Sequence, residues 1–190
     1  FPYTTLFRSN LNFSKWDLLT SNTLARLSKS LYALSSLNCL SLDFYECSLI
    51  KDSDIVALLT AIGRLQFLKR LKLNFSGTAK LNHGGFNTLL NLLQSSKNLA
   101  SLGLEFDGRT FKSIRISKMM EIIGQITGLK NLSLTVGDTT VIQANSDIES
   151  LFSSVRFCQS FVSLDIVVRN YKVSEKLWNV LKESLKYLSD

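Results

Sequence analysis

The chain has 190 residues, a hydrophobic fraction of 45% and a formal net charge of +7. That length holds one domain with a sizeable core, and no stretch approaches the roughly 18 unbroken apolar residues of a membrane helix. The three cysteines Cys39, Cys47 and Cys158 are odd in number and lack a Cys-x-x-Cys spacing, and no secretory signal is visible, which argues against disulfides or a zinc site and for a reducing, cytoplasmic compartment.

Residues 1–9 read Phe-Pro-Tyr-Thr-Thr-Leu-Phe-Arg-Ser. One reading frame of the end of a common sequencing adapter encodes the same peptide. The segment is therefore set apart as an adapter-derived addition, with 10–190 expected to form one domain of a longer natural chain.

From there a strand motif, Leu-x-x-Leu-x-Leu-x-Phe, recurs along the chain. Leu11 and Phe13 fill its last slots in the first unit. It returns complete at Leu37–Phe44, Leu68–Phe75 and Leu99–Phe106, and in altered form at Leu129–Val136 and Phe161–Val168. The starts of the five later copies differ by 31, 31, 30 and 32 residues. Alternation of apolar and variable positions within the motif predicts a half-buried strand.

Between strands the period changes to that of an amphipathic helix. Leu24, Leu27 and Leu31 share one helical face, as do Ile55, Leu58, Leu59 and Ile62. Phe86, Leu89, Leu90 and Leu93 repeat those offsets. Met119, Met120, Ile123 and Ile126, then Ile148, Leu151, Phe152 and Val155, follow with one-residue slips that match the uneven spacing. A last helix is marked by Leu177, Val180, Leu181, Leu185 and Leu188. Asp52, Ser53, Ser117 and Asp147 are candidate N-caps, and Gly63 and Gly128 sit where helix ends favour a left-handed residue.

One strand and one helix cannot bury their apolar faces alone, whereas stacked copies build a continuous core. The predicted fold is an α/β leucine-rich repeat solenoid of about five to six repeats of ~31 residues. It is expected as a right-handed strand–helix superhelix with a parallel concave sheet and convex helices. A doubly wound sheet also alternates strand and helix, but does not require one strand motif at a fixed period.

The Leu-x-x-Leu-x-Leu motif followed by an amphipathic helix resembles the ribonuclease-inhibitor-like class of leucine-rich repeat proteins, over nearly everything after residue 9. The resemblance implies an intracellular protein that binds other proteins on its concave sheet and rim loops. It also implies a buried Asn or Cys ladder three residues after the last motif Leu. Those slots hold Tyr45, Ser76, Asp107, Gly137 and Arg169. Two residues further on stand Cys47, Thr78, Arg109, Thr139 and Tyr171, a partial fit.

Variable strand positions point away from the core. The candidate partner-binding residues are therefore Ser41, Asp43, Tyr45, Arg70, Lys72, Asn74, Glu105, Asp107, Thr135, Asp165 and Arg169. Tyr45 and the Arg70–Lys72 pair are the best candidate anchors, because Tyr and Arg are enriched at binding hot spots. The alternative is a basic module for nucleic acid or another acidic surface, on the series Arg109, Lys112, Arg115 and Lys118. Phe111 is the only aromatic in that series, so nucleic acid is disfavoured. A third reading makes the chain the recognition arm of an enzyme whose catalytic domain lies elsewhere. No catalytic, metal or cofactor site is expected. The only histidine, His83, stands in His83-Gly84-Gly85 before a helix without a Gly-x-Ser-x-Gly turn, so those glycines are expected to serve the backbone.

Overall fold

A computed structural model describes residues 8–78, 81–107, 116–137, 145–158, 160–170 and 174–186. Six strands form one parallel sheet in sequence order. They are β1 (Arg8–Asn12), β2 (Cys39–Asp43), β3 (Arg70–Asn74), β4 (Ser101–Asp107), β5 (Asn131–Gly137) and β6 (Ser163–Val168). The helices between and after them are α1 (Ser21–Tyr32), α2 (Asp52–Ile62), α3 (His83–Ser95), α4 (Ile116–Gly124), α5 (Asn145–Ser153) and α6 (Glu175–Leu185). A 3-10 turn, Ser154–Cys158, follows α5. Each helix packs against its sequence neighbour, which is the arrangement of a solenoid-like leucine-rich repeat fold.

The register shows why the motif repeats. Leu11, Leu42, Leu73, Leu104, Leu134 and Ile166 are partners from strand to strand. A second row runs Leu40, Leu71, Leu102, Leu132, Leu164. These side chains meet Leu24, Ile55, Leu59, Phe86, Leu89, Met119 and Ile123 from the helices in one core. Its ends are less covered: Leu11 and Phe13, and Leu164, Ile166 and Val168, are only partly buried.

Beyond the strands, one loop design recurs. Asn12, Asp43 and Asn74 each accept, on the side-chain oxygen, the backbone N–H two residues on. The carbonyls of Phe13, Phe44 and Phe75 then accept the N–H three residues on. Inside each of these turns Lys15, Glu46 and Gly77 have φ of 59°, 56° and 75°. A turn of this kind needs a left-handed third residue, and glycine takes it without strain. At Gly77 the need is doubled, because a Cβ there would stand 2.8 Å from the Glu46 side chain. The rings above these turns stack: Phe13 on Phe44 at 5.5 Å, Phe44 on Phe75 at 5.8 Å, with Trp16 covering Phe13 at 5.6 Å.

No regular Asn or Cys ladder runs through the described units; two of the displaced slots instead hold buried side chains that bond turn carbonyls. Cys47 and Thr78 are buried there. The Cys47 thiol donates to the Phe13 carbonyl of the preceding unit at 3.0 Å, and the Thr78 hydroxyl donates to the Phe75 carbonyl. Arg109, Thr139 and Tyr171 lie outside the described residues.

Three expectations are corrected. The structure gives no sign of the adapter-derived segment: of residues 1–9 only Arg8 and Ser9 are described, and both are part of β1, paired in register with Cys39 and Leu40. Gly63 caps α2 with φ −60°, a right-handed conformation, and Gly128 does not have positive φ either. Asp52 does not cap its own helix, whose N-cap is Lys51. Its carboxylate instead accepts the N–H groups of Asn82 at 2.8 Å and Gly85 at 3.0 Å, at the start of α3. Helix starts elsewhere are also stitched to neighbours: Ser21 donates to Asp54 at 2.8 Å, Ser117 bonds Ser150, and Lys176 reaches Glu149 at 3.0 Å.

Candidate functional site

The parallel register lines up the outward side chains of the strands. One row is Ser41, Lys72, Gly103, Ser133, Asp165, and the next is Asp43, Asn74, Glu105, Thr135, Val167. Lys72 crosses over Gly103, its Cγ 3.1 Å from where a Cβ would be, and pairs with Glu105 at 2.8 Å. Ser133 donates to Asp165 at 3.3 Å. Two depressions share this face. One, of about 680 Å³, runs along the strand C-termini from Asp43 and Tyr45 past Asn74, Glu105 and Thr135 to Arg169. The other, of about 460 Å³, lies over the first halves of the strands and is lined by Ser41, Arg70, Lys72 and Asp165.

The eleven candidate residues thus line one helix-free face, but they differ in exposure. Arg70, Lys72, Asp165 and Arg169 are exposed, whereas Asn74, Thr135 and Asp107 are buried. Asp107 is only 4% exposed because its carboxylate accepts the Gly77 N–H at 3.1 Å. In the two preceding turns a backbone carbonyl does that work: Lys15 N–H donates to Tyr45 and Glu46 N–H to Ser76. Asp43 and Asn74 are likewise committed to their own turns. Tyr45, Arg70, Lys72, Glu105, Asp165 and Arg169 keep side-chain surface on this face, with Lys72 and Glu105 paired to each other and Asp165 to Ser133. Glu46 and Asn170 also wall the longer depression. Both have left-handed φ of 56°, which turns the chain at the end of the strand; asparagine is enriched in that conformation, whereas a glutamate gives no such signal in the sequence.

Of the basic series, Arg109, Lys112 and Arg115 lie outside the described residues. Lys118 is on α4, paired with Glu121 at 3.1 Å on the same helix. His83 is the first residue of α3. The glycines after it have a packing reason: a Cβ on Gly84 or Gly85 would stand 2.7 Å from an Asp52 carboxylate oxygen. Among the described residues no group of three or more His, Cys, Asp or Glu could hold a metal, and no helix is long and apolar enough to cross a membrane.

All three cysteines are free. Burial raises the Cys47 thiol and pushes Cys158 up to about 12, so neither is a thiolate nucleophile near neutral pH. Cys39 alone is partly exposed. Brief iodoacetamide treatment at neutral pH is expected to label Cys39 and spare Cys47 and Cys158 until the protein is denatured. Peptide mass mapping reads this out, and early labelling of Cys158 would contradict the packing described.

No protein-family model matches the sequence, and no curated protein matches it. Solved structures do share the fold. The tropomodulin C-terminal domain of Caenorhabditis elegans superposes with a TM-score of 0.57 at 10% identity, over 90% of this chain and 93% of that one. Leiomodin-1 actin-binding site 2 gives a TM-score of 0.55 at 11% identity, over 87% and 86%. These neighbours correct the resemblance to the ribonuclease-inhibitor-like class. The leucine motif specifies how each unit fills the core, and tropomodulin and leiomodin domains fill a similar frame.

Proposed function

We propose that this chain is a protein-interaction module that takes its partner on the helix-free face of the sheet and on the loops at the strand C-termini. It rests on a solenoid of five to six right-handed repeats, the hand that parallel strand–helix crossovers overwhelmingly adopt. The observation that carries it is the depression of about 680 Å³ whose lining reaches from Ser14 in the turn after β1 to Asn170 in the turn after β6. A surface extended over several repeats, with Tyr, Arg and both signs of charge, suits a folded protein better than a small molecule. Glu46, Glu105 and Asp165 on the same face do not suit a phosphate backbone. Leiomodin-1 actin-binding site 2 makes actin the first partner to assay, in a cytoplasmic setting that three free cysteines fit.

The test compares two variants for co-sedimentation with actin filaments and for capture of partners from extract. Tyr45→Ala combined with Lys72→Ala is expected to weaken specific binding by about tenfold. Arg26→Ala, an exposed position on α1, is expected to leave it unchanged. Equal binding by both variants would overturn the assignment of this face.

A further inference from the structure

The charges of this protein are segregated along the solenoid. Consider the edge where helices end and strands begin, residues 29–39, 61–70, 94–101, 124–131 and 156–163. No Asp or Glu occurs in any of these segments. They carry Arg64, Lys69, Lys97, Lys130 and Arg156, all exposed, and Lys29 on the last turn of α1, while Arg70 at the start of β3 belongs to the sheet face. None of these cations is ion-paired within the described residues. The opposite edge is mixed, with Asp43, Glu46, Asp52 and Asp54 beside Lys15 and Lys51.

Helix dipoles account for little of this. A cation at a helix C-terminus is favoured within the last turn. Yet α2, α3 and α4 have no basic residue in their last turns, so Arg64, Lys69, Lys97 and Lys130 stand beyond them. The backbone stacks them in rows: Ala100 N–H donates to the Lys69 carbonyl, Lys130 N–H to Ala100, and Val162 N–H to Lys130. At a strand spacing of ~4.8 Å, Lys69 and Lys130 are roughly 10 Å apart. That is slightly more than the Debye length of about 8 Å at physiological salt, so their fields overlap in part there and more fully at lower salt.

The same edge has relief and exposed apolar groups. Depressions of about 260 Å³ and about 440 Å³ lie between the ends of α2 and α3 and of α3 and α4, and Lys97 lines both. Phe67 is 62% exposed and Val162 79% exposed. The Arg64 guanidinium lies 4.9 Å from the centre of the Tyr32 ring and Arg156 5.1 Å from that of Phe157, so both are held on aromatic faces.

We infer that this edge is a second docking surface, separate from the sheet face, and that its partner is an acidic protein surface with apolar side chains among its carboxylates. Charge complementarity selects the acidic partner. The exposed Val162 favours protein over nucleic acid, because an aliphatic side chain offers a base no stacking platform, and Arg64 and Arg156 already occupy two of the rings; Phe67 packs equally well on either, and the oligothymidylate probe below separates them. The inference stands or falls independently of the sheet face.

The test is fluorescence anisotropy with three labelled probes: a short peptide of Asp-Asp-Phe repeats, one of Asp-Asp-Ser repeats, and oligothymidylate. Lys69→Glu, Lys97→Glu and Lys130→Glu combined are compared with an equal charge change elsewhere, Arg26→Glu, Lys51→Glu and Lys182→Glu combined. Thermal melts check both folds, and Lys97→Gln with Lys130→Gln serves as a milder variant. The Asp-Asp-Phe peptide is expected to bind at physiological salt and to weaken roughly tenfold or more in the edge variant only. Phe67→Ser is expected to weaken Asp-Asp-Phe and leave Asp-Asp-Ser unchanged. Equal loss in both charge variants would reduce the effect to net charge and overturn the proposal. So would absence of binding, or tighter edge-dependent binding of oligothymidylate, which would make the occupant a nucleic acid.

Discussion

Replacing Phe75 by Ala is expected to cost about 3–5 kcal/mol of unfolding free energy, the range for deleting a buried aromatic ring. Phe75 is fully buried and stacks on Phe44, which stacks on Phe13, while Phe106 fills the matching place in the next unit. Removing it opens a void inside a column shared by successive repeats. Close-packed neighbours relax into such a void only in part. In a stack where each unit holds only its neighbours, the defect weakens the interfaces on both sides. Phe13 is the internal control. It lies at the end of the column, partly buried, so Phe13→Ala should cost clearly less. Urea unfolding checks both variants, with the midpoint shifting and the slope unchanged. Equal costs for Phe13 and Phe75 would mean that the column is not the continuous core described.

The second large effect is expected at Asp52. Its Oδ1 accepts two backbone N–H groups at the start of α3, so Asp52→Ala leaves both without their acceptor. A carboxylate at a helix start is favoured by the orphan N–H groups and by the dipole. Loss is expected to cost about 1–3 kcal/mol. Asp52→Asn, which keeps an oxygen acceptor and drops the charge, should fall between. Hydrogen exchange makes the prediction local: the Asn82 and Gly85 amides should exchange faster in the Ala variant while those of β3 change little. Unchanged exchange at both amides would remove Asp52 from this role. Gly84→Ala and Gly85→Ala should destabilise for the complementary reason, since a Cβ and the carboxylate cannot share the space.

These two sites mark how far the sequence could be read. Phe44, Phe75 and Phe106 stood out by their spacing, because an apolar side chain must face the core wherever the unit repeats. The helix offsets were legible for the same reason: Ile55, Leu59, Phe86 and Leu89 are buried at the expected positions. Asp52 was recognisable as a cap, but the helix it serves is the next one, a relation across 30 residues that capping rules do not contain. Lys15 and Glu46 take left-handed turns without being glycine, so nothing in their identity revealed the turn. Strand alternation places Asp107 and Asn74 on the open face, but it says where a side chain points and not whether a loop already uses it. The basic edge was missed differently. Its cations fall in successive repeats, 64 and 69 in one unit, 97 and 130 in the next two, and make a surface only when the units are stacked.

The most direct test of the sheet-face reading is a photocrosslinking map. A benzophenone amino acid placed singly at Tyr45, Lys72, Asp165 or Arg169 samples the open face, and at Arg26, Ala57 or Lys182 it samples exposed helix positions. With a partner from the binding assay present, crosslinks are expected from the four sheet-face positions and not from the helical ones. Crosslinks confined to the helical positions would contradict the account.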